Sequence, residues 1–254
     1  MKFENTWTGN WEGAFHGLRH PMESYAKSDS DFGFCEALND DSEIIIKENN
    51  NIFEVVEIGH RDMDLAQRMI KAGTPNDKFL RQIFVSVDIT APLYWWKEMD
   101  TYKVGTTANS TSTMHKLAST PITIDCFETD DYIPDLVFEE GIDDHYDNPW
   151  HYECIIKDYI GDYEKKVHFS ETLIGLLESL RHKYLETKDV RYWKELIRWL
   201  PEGWLQTRQW TANYAVLRNI YHWRKDHKLS EWHQFCDWIE TLPYANELIL
   251  FDNK

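Results

Sequence analysis

The chain reads TRQWTANYAVLRNIYHWR from Thr207 to Arg224, and the rest of the sequence is interpreted outward from this stretch. Asn213 and Arg224 are eleven positions apart. A helix that begins near Gln206 would therefore bring both side chains to one face, about 16 Å apart along the axis. This spacing suits a ligand of nucleotide size, with an amide at one end and a guanidinium for a phosphate at the other.

A second informative stretch runs from Phe79 to Pro92. Apolar and other residues alternate in it with the period of a strand that has one buried face, and Pro92 suits the start of a following helix. The apolar positions of this alternation are Ile83, Val85, Val87 and Ile89.

Over residues 62 to 117 and 195 to 242, the chain resembles the flavin-dependent thymidylate synthases. In that family a long helix carries an asparagine and an essential arginine, with an acidic residue further on that Glu231 matches here, and a strand enters a helix through an Ala-Pro pair. The resemblance implies an α+β fold with a small antiparallel sheet and a long-helix C-terminal half. The sequence has no linker-like or low-complexity run, so we expect a single domain of this kind over residues 1 to 254, with an acidic insertion at about 118 to 157 that has no counterpart in the family.

The family signature R-H-R-x-x-S-x-N-x-x-S-x-R-Y is only partly kept. Its polar skeleton corresponds to Thr107, Asn109 and Ser112, whereas its arginines are replaced by other residues. Tyr102, Lys103 and Val104 stand where the family has Arg-His-Arg, Met114 replaces the later arginine, and Ala215 replaces a flavin-binding arginine. These arginines are the family's phosphate and pyrophosphate contacts, so we expect FAD to bind weakly or not at all.

The resemblance assigns roles to individual residues. Arg224 would hold the nucleotide phosphate, and Ser112 with Asn109 would line the pyrimidine site, which makes Ser112 and Arg224 the catalytic candidates. The remaining nucleotide-site candidates are Lys97, Glu98 and Arg198, and the cofactor-site candidates are Arg81, Lys103, Asn213 and Asn219. Taken without the resemblance, the same residues are typical of a charged helix end, of hydrogen bonds between helices and of a polar loop.

Two functions from different classes follow. In the family, FAD mediates one-carbon transfer from methylenetetrahydrofolate to C5 of dUMP, and NADPH supplies the reducing equivalents. The alternative is a noncatalytic nucleotide binder that has lost flavin binding and sequesters a nucleotide or a signalling nucleotide. The sequence leaves both open.

Composition restricts the partners. Forty-four acidic residues against 27 basic ones give a net charge of −17, which argues against duplex nucleic acid or an anionic membrane as a partner. The sequence contains no long apolar run and does not begin like a signal peptide, so we expect a cytoplasmic location. Twelve tryptophans concentrate in the helices and favour a homo-oligomer, expected to be a tetramer.

The stretch between Lys116 and Lys157 contains no Lys or Arg. Asp143, Asp144 and Asp147, with His145 between them, offer oxygen ligands of the kind that Mg²⁺ and Ca²⁺ prefer, but their spacing does not match that of an EF-hand calcium loop. We therefore interpret the stretch as a solvated acidic loop and predict no metal site. The four cysteines lack metal-site spacing and are expected to be free thiols.

Elsewhere the pattern predicts a hairpin from residues 43 to 48 and 52 to 58, and a helix from Asp62, as N-cap, to Ala72. Mostly helical structure is predicted from Ser170 onward, with a last helix from Ser230 to Leu242.

Overall fold

The computed structural model describes residues 1–32, 52–53, 56–130, 137–141, 153–157 and 167–251. The chain folds into two compact units, Met1–Thr111 with Gln206–Lys254, and Ser112–Leu205. Whether they constitute the single domain expected from the sequence stays a prediction.

The first unit is built on a five-stranded sheet. Its strands are β1 (Lys2–Gly9), β2 (Ile52–Phe53), β3 (Phe84–Pro92), β4 (Thr107–Ser110) and β8 (Leu205–Asn213). They lie in the order β2-β1-β3-β8-β4. β1 pairs with β3 in antiparallel and with β2 in parallel orientation, and β4 pairs with β8 in antiparallel orientation.

Helices cover this sheet and bury a core rich in aromatic residues. They are α1 (Trp11–Arg19), α2 (His60–Ala72), α3 (Leu93–Met99), α7 (Tyr214–Arg224), α8 (Ser230–Glu240) and α9 (Ala245–Leu248). Trp95, Trp232 and Phe235 are fully buried and in mutual ring contact. The apolar positions predicted for this strand are also fully buried: Val85, Val87 and Ile89 in β3, and Ile83 directly before it.

The second unit contains α4 (Thr113–Lys116), α5 (Phe169–Thr187) and α6 (Val190–Arg198). It also contains β5 (Val137–Gly141), β6 (Glu153–Lys157) and β7 (Val167–His168), which form a three-stranded sheet of order β6-β5-β7. Leu177 of α5 and Leu196 of α6 belong to one buried cluster with Leu117 and Ile122. Asp143, Asp144, His145 and Asp147 lie outside the described residues. Within the described residues, no group of three or more His, Cys, Asp or Glu side chains could hold a metal ion.

The predicted α+β fold with a small sheet and a helical C-terminal half is confirmed. The prediction of a single helix from near Gln206 to Arg224 is wrong. Residues 205–213 form β8, because Trp210, Ala212 and Tyr214 are buried on alternate positions and the strand lies between β3 and β4. Thr90 and Thr207 join β3 to β8 through a 2.7 Å hydroxyl contact. The helix begins only after Asn213, its N-cap.

Two smaller predictions change as well. The helix expected from Asp62 begins at His60, and Asp62 is buried in its first turn instead of capping it, while the predicted stop at Gly73 is confirmed. Of the predicted hairpin, residues 43–48 lie outside the described residues, so its pairing stays a prediction. In the described part of the chain, no helix has the length and apolar character needed to cross a membrane.

Candidate functional site

A cleft of about 480 Å³ opens at the start of α7. The four residues proposed from the sequence as a cofactor site all line it, together with the loop that follows α3 and two further positions in the first turn of α7. Its walls are formed by Arg81, Thr101, Tyr102, Lys103, Val104, Gly105, Asn213, Ala215, Val216 and Asn219. The volume lies within the range of about 300–1,000 Å³ that is usual for small-molecule sites.

The cleft's polar groups are fixed by the way α7 begins. The Asn213 Oδ1 accepts a hydrogen bond from the Val216 backbone N–H at 3.1 Å, which caps the helix. The Tyr214 N–H donates to the Ile83 carbonyl at 3.1 Å and attaches this helix end to the start of β3. Because its Oδ1 already accepts the capping hydrogen bond, the Asn213 group with no partner among the described residues is the Nδ2 donor.

The cleft carries positive charge. Arg81 and Lys103 are exposed, and neither forms an ion pair with another described residue. Asn219 is also exposed, and its amide has no hydrogen-bond partner in the described part of the chain. Two uncompensated cations beside a helix N-terminus form an environment that attracts anions, phosphate groups among them.

Gly105 allows the loop after α3 to approach α7 closely. Its φ of +78° is one that side-chain-bearing residues rarely adopt. A Cβ at this position would lie 3.1 Å from Val216 Cγ2 and 3.3 Å from Asn213 Nδ2. Glycine therefore lets this loop form one wall of the cleft against the helix cap.

Arg224, the strongest candidate from the sequence, is held by its neighbours instead of being an exposed helix-end cation. Its Nη1 donates to Glu98 Oε2 at 2.9 Å and its Nε to the Tyr102 hydroxyl at 2.8 Å. Its guanidinium carbon lies 4.4 Å from the centre of a Trp232 ring. Tyr102 also lines the cleft, so Arg224 is anchored directly behind the cleft wall.

Glu98 is the shared acceptor of this group. The same Oε2 accepts from Trp232 Nε1 at 3.0 Å, and His227 Nε2 lies 3.6 Å away. Glu231, which follows α7 in the sequence, is buried and accepts a hydrogen bond from the Tyr94 hydroxyl. We call Glu98, Tyr102, Arg224, His227 and Trp232 the arginine cluster.

The other candidates are not among the residues that line this cleft. Asn109 is exposed on β4 opposite Gln209, and Lys97 is exposed on α3 directly before Glu98. Ser112 and Arg198 belong to the second unit, where the Ser112 carbonyl accepts from the Lys116 N–H and Arg198 pairs with Glu195. The structure thus brings together the four cofactor candidates, and separately Glu98 with Arg224.

Sequence reasoning missed Tyr102 and Trp232 as parts of the site. In the sequence, Tyr102 is notable only because it replaces an arginine of the family signature. In the structure it lines the cleft and accepts a hydrogen bond from Arg224. Trp232 lies on α8, and its contact with Arg224 depends on how α7 and α8 pack. No local pattern indicates such a contact.

Comparisons with known proteins agree with the fold. A flavin-dependent thymidylate synthase, ThyX, from Helicobacter pylori, complexed with FAD and dUMP, superposes with a TM-score of 0.58 at 15% sequence identity, covering 98% of both chains. A second structure of that enzyme with FAD and dUMP gives a TM-score of 0.56 at 14% identity, covering 98% of this chain and 97% of the other.

A UMP/dUMP methylase, PolB, from Streptomyces cacaoi, bound with 5-Br dUMP, is similar with a TM-score of 0.53 at 12% identity, covering 99% and 96% of the two chains. The sequence matches no protein-family model and no curated protein. At these identities the structural likeness establishes a shared fold, which is the fold that the sequence predicts.

Proposed function

We propose that this protein binds a nucleotide in the cleft at the start of α7. One observation carries the proposal: Arg81, Lys103, Asn213 and Asn219 line a single cleft at a helix N-terminus, in a fold whose solved examples hold nucleotides. Phosphate oxygens need cationic or N–H donors, and a base edge needs amide groups. The cleft offers both kinds of group within about 480 Å³.

Within this proposal the ligand is a pyrimidine nucleotide, and the most specific form of the function is one-carbon transfer to C5 of dUMP or a related nucleotide. The fold supports this form, since the similar proteins are a thymidylate synthase and a UMP/dUMP methylase. In this form the resemblance assigns Arg224, Asn109 and Ser112 to the nucleotide, and of these Arg224 contacts a residue of the cleft wall, Tyr102. NADPH and methylenetetrahydrofolate belong to the proposal only in this catalytic form.

The cleft fits FAD less well than it fits a single nucleotide. Ala215 lines it with a methyl group where the resemblance expects a flavin-binding arginine. Among the described residues, Arg81 and Lys103 are the only cations in its walls, and a dinucleotide cofactor also needs contacts for a second nucleotide half. This observation favours the second candidate function, a nucleotide binder that no longer depends on flavin.

Titration calorimetry with dUMP, UMP, FAD and a panel of other nucleotides tests the site. Lys103→Ala and Asn219→Ala should each weaken binding of the best ligand about tenfold, because a charge-assisted hydrogen bond contributes about 1.5–3 kcal/mol. Lys2→Ala, which removes an exposed cation on β1, is the matched control and should bind like the wild type. Unchanged affinity in both cleft variants would place the ligand elsewhere, and no binding by the wild type would reject the function.

The absorbance spectrum of the purified protein separates the two forms of the function. We expect no stoichiometric flavin band, since the cleft lacks a cation at Ala215. A protein that is yellow from purification, with one flavin per chain, would contradict this expectation and favour the catalytic form.

A further inference from the structure

We propose that Glu98 is a specificity-determining residue that disfavours phosphate at Arg224. The inference rests on the proposed nucleotide site, because it concerns which part of a nucleotide Arg224 can accept. In this inference Glu98 does not help to bind phosphate. Its carboxylate accepts a hydrogen bond from the Arg224 guanidinium and so competes with a phosphate for the same donor.

The geometry of Arg224 limits what it can offer. Its side chain is 18% exposed, and its Nε and Nη1 already donate to Tyr102 and Glu98. Within the described residues, Nη2 has no hydrogen-bond partner. A phosphate is bound most strongly by two parallel N–H groups of one guanidinium, either Nη1 with Nη2 or Nε with Nη2, and in Arg224 one nitrogen of each pair is already used internally.

The charge of Glu98 adds a second obstacle. Its side chain is 36% exposed, so a ligand that reaches Arg224 also meets the carboxylate. The negative charges of a phosphate and of the Glu98 carboxylate repel each other, and a partly buried site screens this repulsion less than bulk water does. His227 faces the same oxygen at 3.6 Å and can offset the repulsion only when protonated.

The arginine cluster itself is well satisfied without a ligand. Glu98 Oε2 accepts from Arg224 and Trp232, and the guanidinium stacks on the Trp232 ring and lies 5.5 Å from the Tyr102 ring centre. Bidentate binding of a phosphate at Arg224 would require the guanidinium to give up its hydrogen bond to Glu98 or the one to Tyr102. The ligand's phosphate is therefore directed to Arg81 and Lys103, which have no such partner among the described residues.

Glu98→Gln tests the inference, because the amide keeps an acceptor for Trp232 at nearly the same volume and removes the charge. We expect this variant to bind dUMP about tenfold or more tightly than the wild type does, while its affinity for deoxyuridine, which has no phosphate, stays the same. Both affinities are measured by calorimetry, and the ratio between the two ligands is the quantity compared.

The double variant Glu98→Gln with Arg224→Ala identifies the group responsible, since the gain should disappear when the guanidinium is removed. Asp100→Asn is the matched control: Asp100 also pairs with an arginine, Arg208, that lies over a tryptophan ring, so the substitution removes one carboxylate without touching Glu98. It should leave the ratio unchanged. Thermal unfolding of each variant confirms that it folds.

An unchanged or lower dUMP-to-deoxyuridine ratio in folded Glu98→Gln would overturn the inference, and so would the absence of dUMP binding in both proteins. The proposed function fails on other results: either the wild type binds no nucleotide, or Lys103→Ala and Asn219→Ala leave nucleotide affinity unchanged. A wild type that binds dUMP through the cleft residues, together with an unchanged dUMP-to-deoxyuridine ratio in Glu98→Gln, would therefore overturn the inference alone and leave the proposed function standing.

Discussion

Arg19 and Asp62 form an ion pair whose side chains are only 6% and 0% exposed, joined by a 2.5 Å contact. Burial acts to raise the pKa of Asp62, but hydrogen bonds from Ser28, Ser30 and Arg19 outweigh it and hold the pKa below its usual value. The carboxylate is thus charged in the core and depends on its donors. This pair attaches α1 to the first turn of α2.

Arg19→Met should lower the free energy of unfolding by about 3–5 kcal/mol, because it leaves the Asp62 charge buried without its cation. Urea denaturation at neutral pH measures the change. Arg68→Met is the matched control on α2, where Arg68 pairs with Asp64 and the two side chains are 61% and 57% exposed. That variant should lose less than about 1 kcal/mol. Equal losses would show that the buried pair contributes no more than a surface one.

Asn213 has two uses that a substitution can separate. Its Oδ1 caps α7, and the residue lines the cleft, to which its Nδ2 is the available donor. Asn213→Asp keeps the capping acceptor and removes the donor, so it should unfold like the wild type but bind the nucleotide less tightly. Asn213→Ala should additionally lower stability by about 0.5–2 kcal/mol. Calorimetry and urea denaturation on both variants distinguish the two uses, and wild-type affinity in Asn213→Asp would assign Asn213 to the cap alone.

At the scale of the elements, strong local patterns predicted structure well. The alternation along β3 and the stop of α2 at Gly73 both follow from short-range physics, namely the two-residue period of a strand and the freedom of glycine. The structure of the Thr207–Arg224 stretch is harder to predict, because the spacing of its residues also suits a single helix. The first half of this stretch forms a strand because it pairs with β4 and lies beside β3. Both contacts are with distant parts of the chain, so the local sequence does not reveal them.

The candidate site shows the same division. The four cofactor-site candidates taken from the resemblance do line one cleft. In proteins that share a fold, aligned positions lie at equivalent places even where the residue types differ. The resemblance could not show that Glu98 binds Arg224, because that contact joins residues 126 positions apart. Such pairing depends on the packing of α3 against the end of α7.

In the second unit, one carboxylate connects α5 to the chain before it. Glu178 binds Arg181, and its Oε2 accepts from the Ile122 N–H at 2.9 Å. The hydrogen bond from Arg181, opposed by burial and aided by Ile122, lowers the Glu178 pKa from 4.5 to about 2. A depressed folded-state pKa means that this stabilisation is present above about pH 4.5 and is lost as the pH falls toward about 2.

Glu178→Gln should therefore be less stable than the wild type by about 1–3 kcal/mol at neutral pH, with the difference shrinking between about pH 4.5 and pH 2. Urea denaturation across this pH range gives the comparison. Glu186→Gln, which removes an exposed partner of Lys183, should show no such convergence. A difference that stays constant with pH would mean that Glu178 contributes through packing and not through its charge.

At the scale of the whole molecule, the excess of acidic residues and the exposed aromatic surface have different consequences. A charge of −17 disfavours association through polar surfaces, so any self-association must come from apolar contacts strong enough to overcome repulsion. Trp223, at the end of α7, is 76% exposed in the single chain. Tryptophan is enriched at subunit interfaces because its large ring loses water there.

We therefore predict that the protein is a homo-oligomer, a tetramer of 30.4 kDa chains, and that Trp223 lies in its interface. Trp223→Lys should lower the mass measured by light scattering at micromolar concentration, because a buried apolar contact is replaced by a charge that must be desolvated. Met22→Lys, at a position 82% exposed in a short turn, is the control and should keep the wild-type mass. A wild-type mass near 30.4 kDa would reject the oligomer. A tetramer unaffected by Trp223→Lys would place the interface on another surface and leave the exposed ring of α7 to a different role.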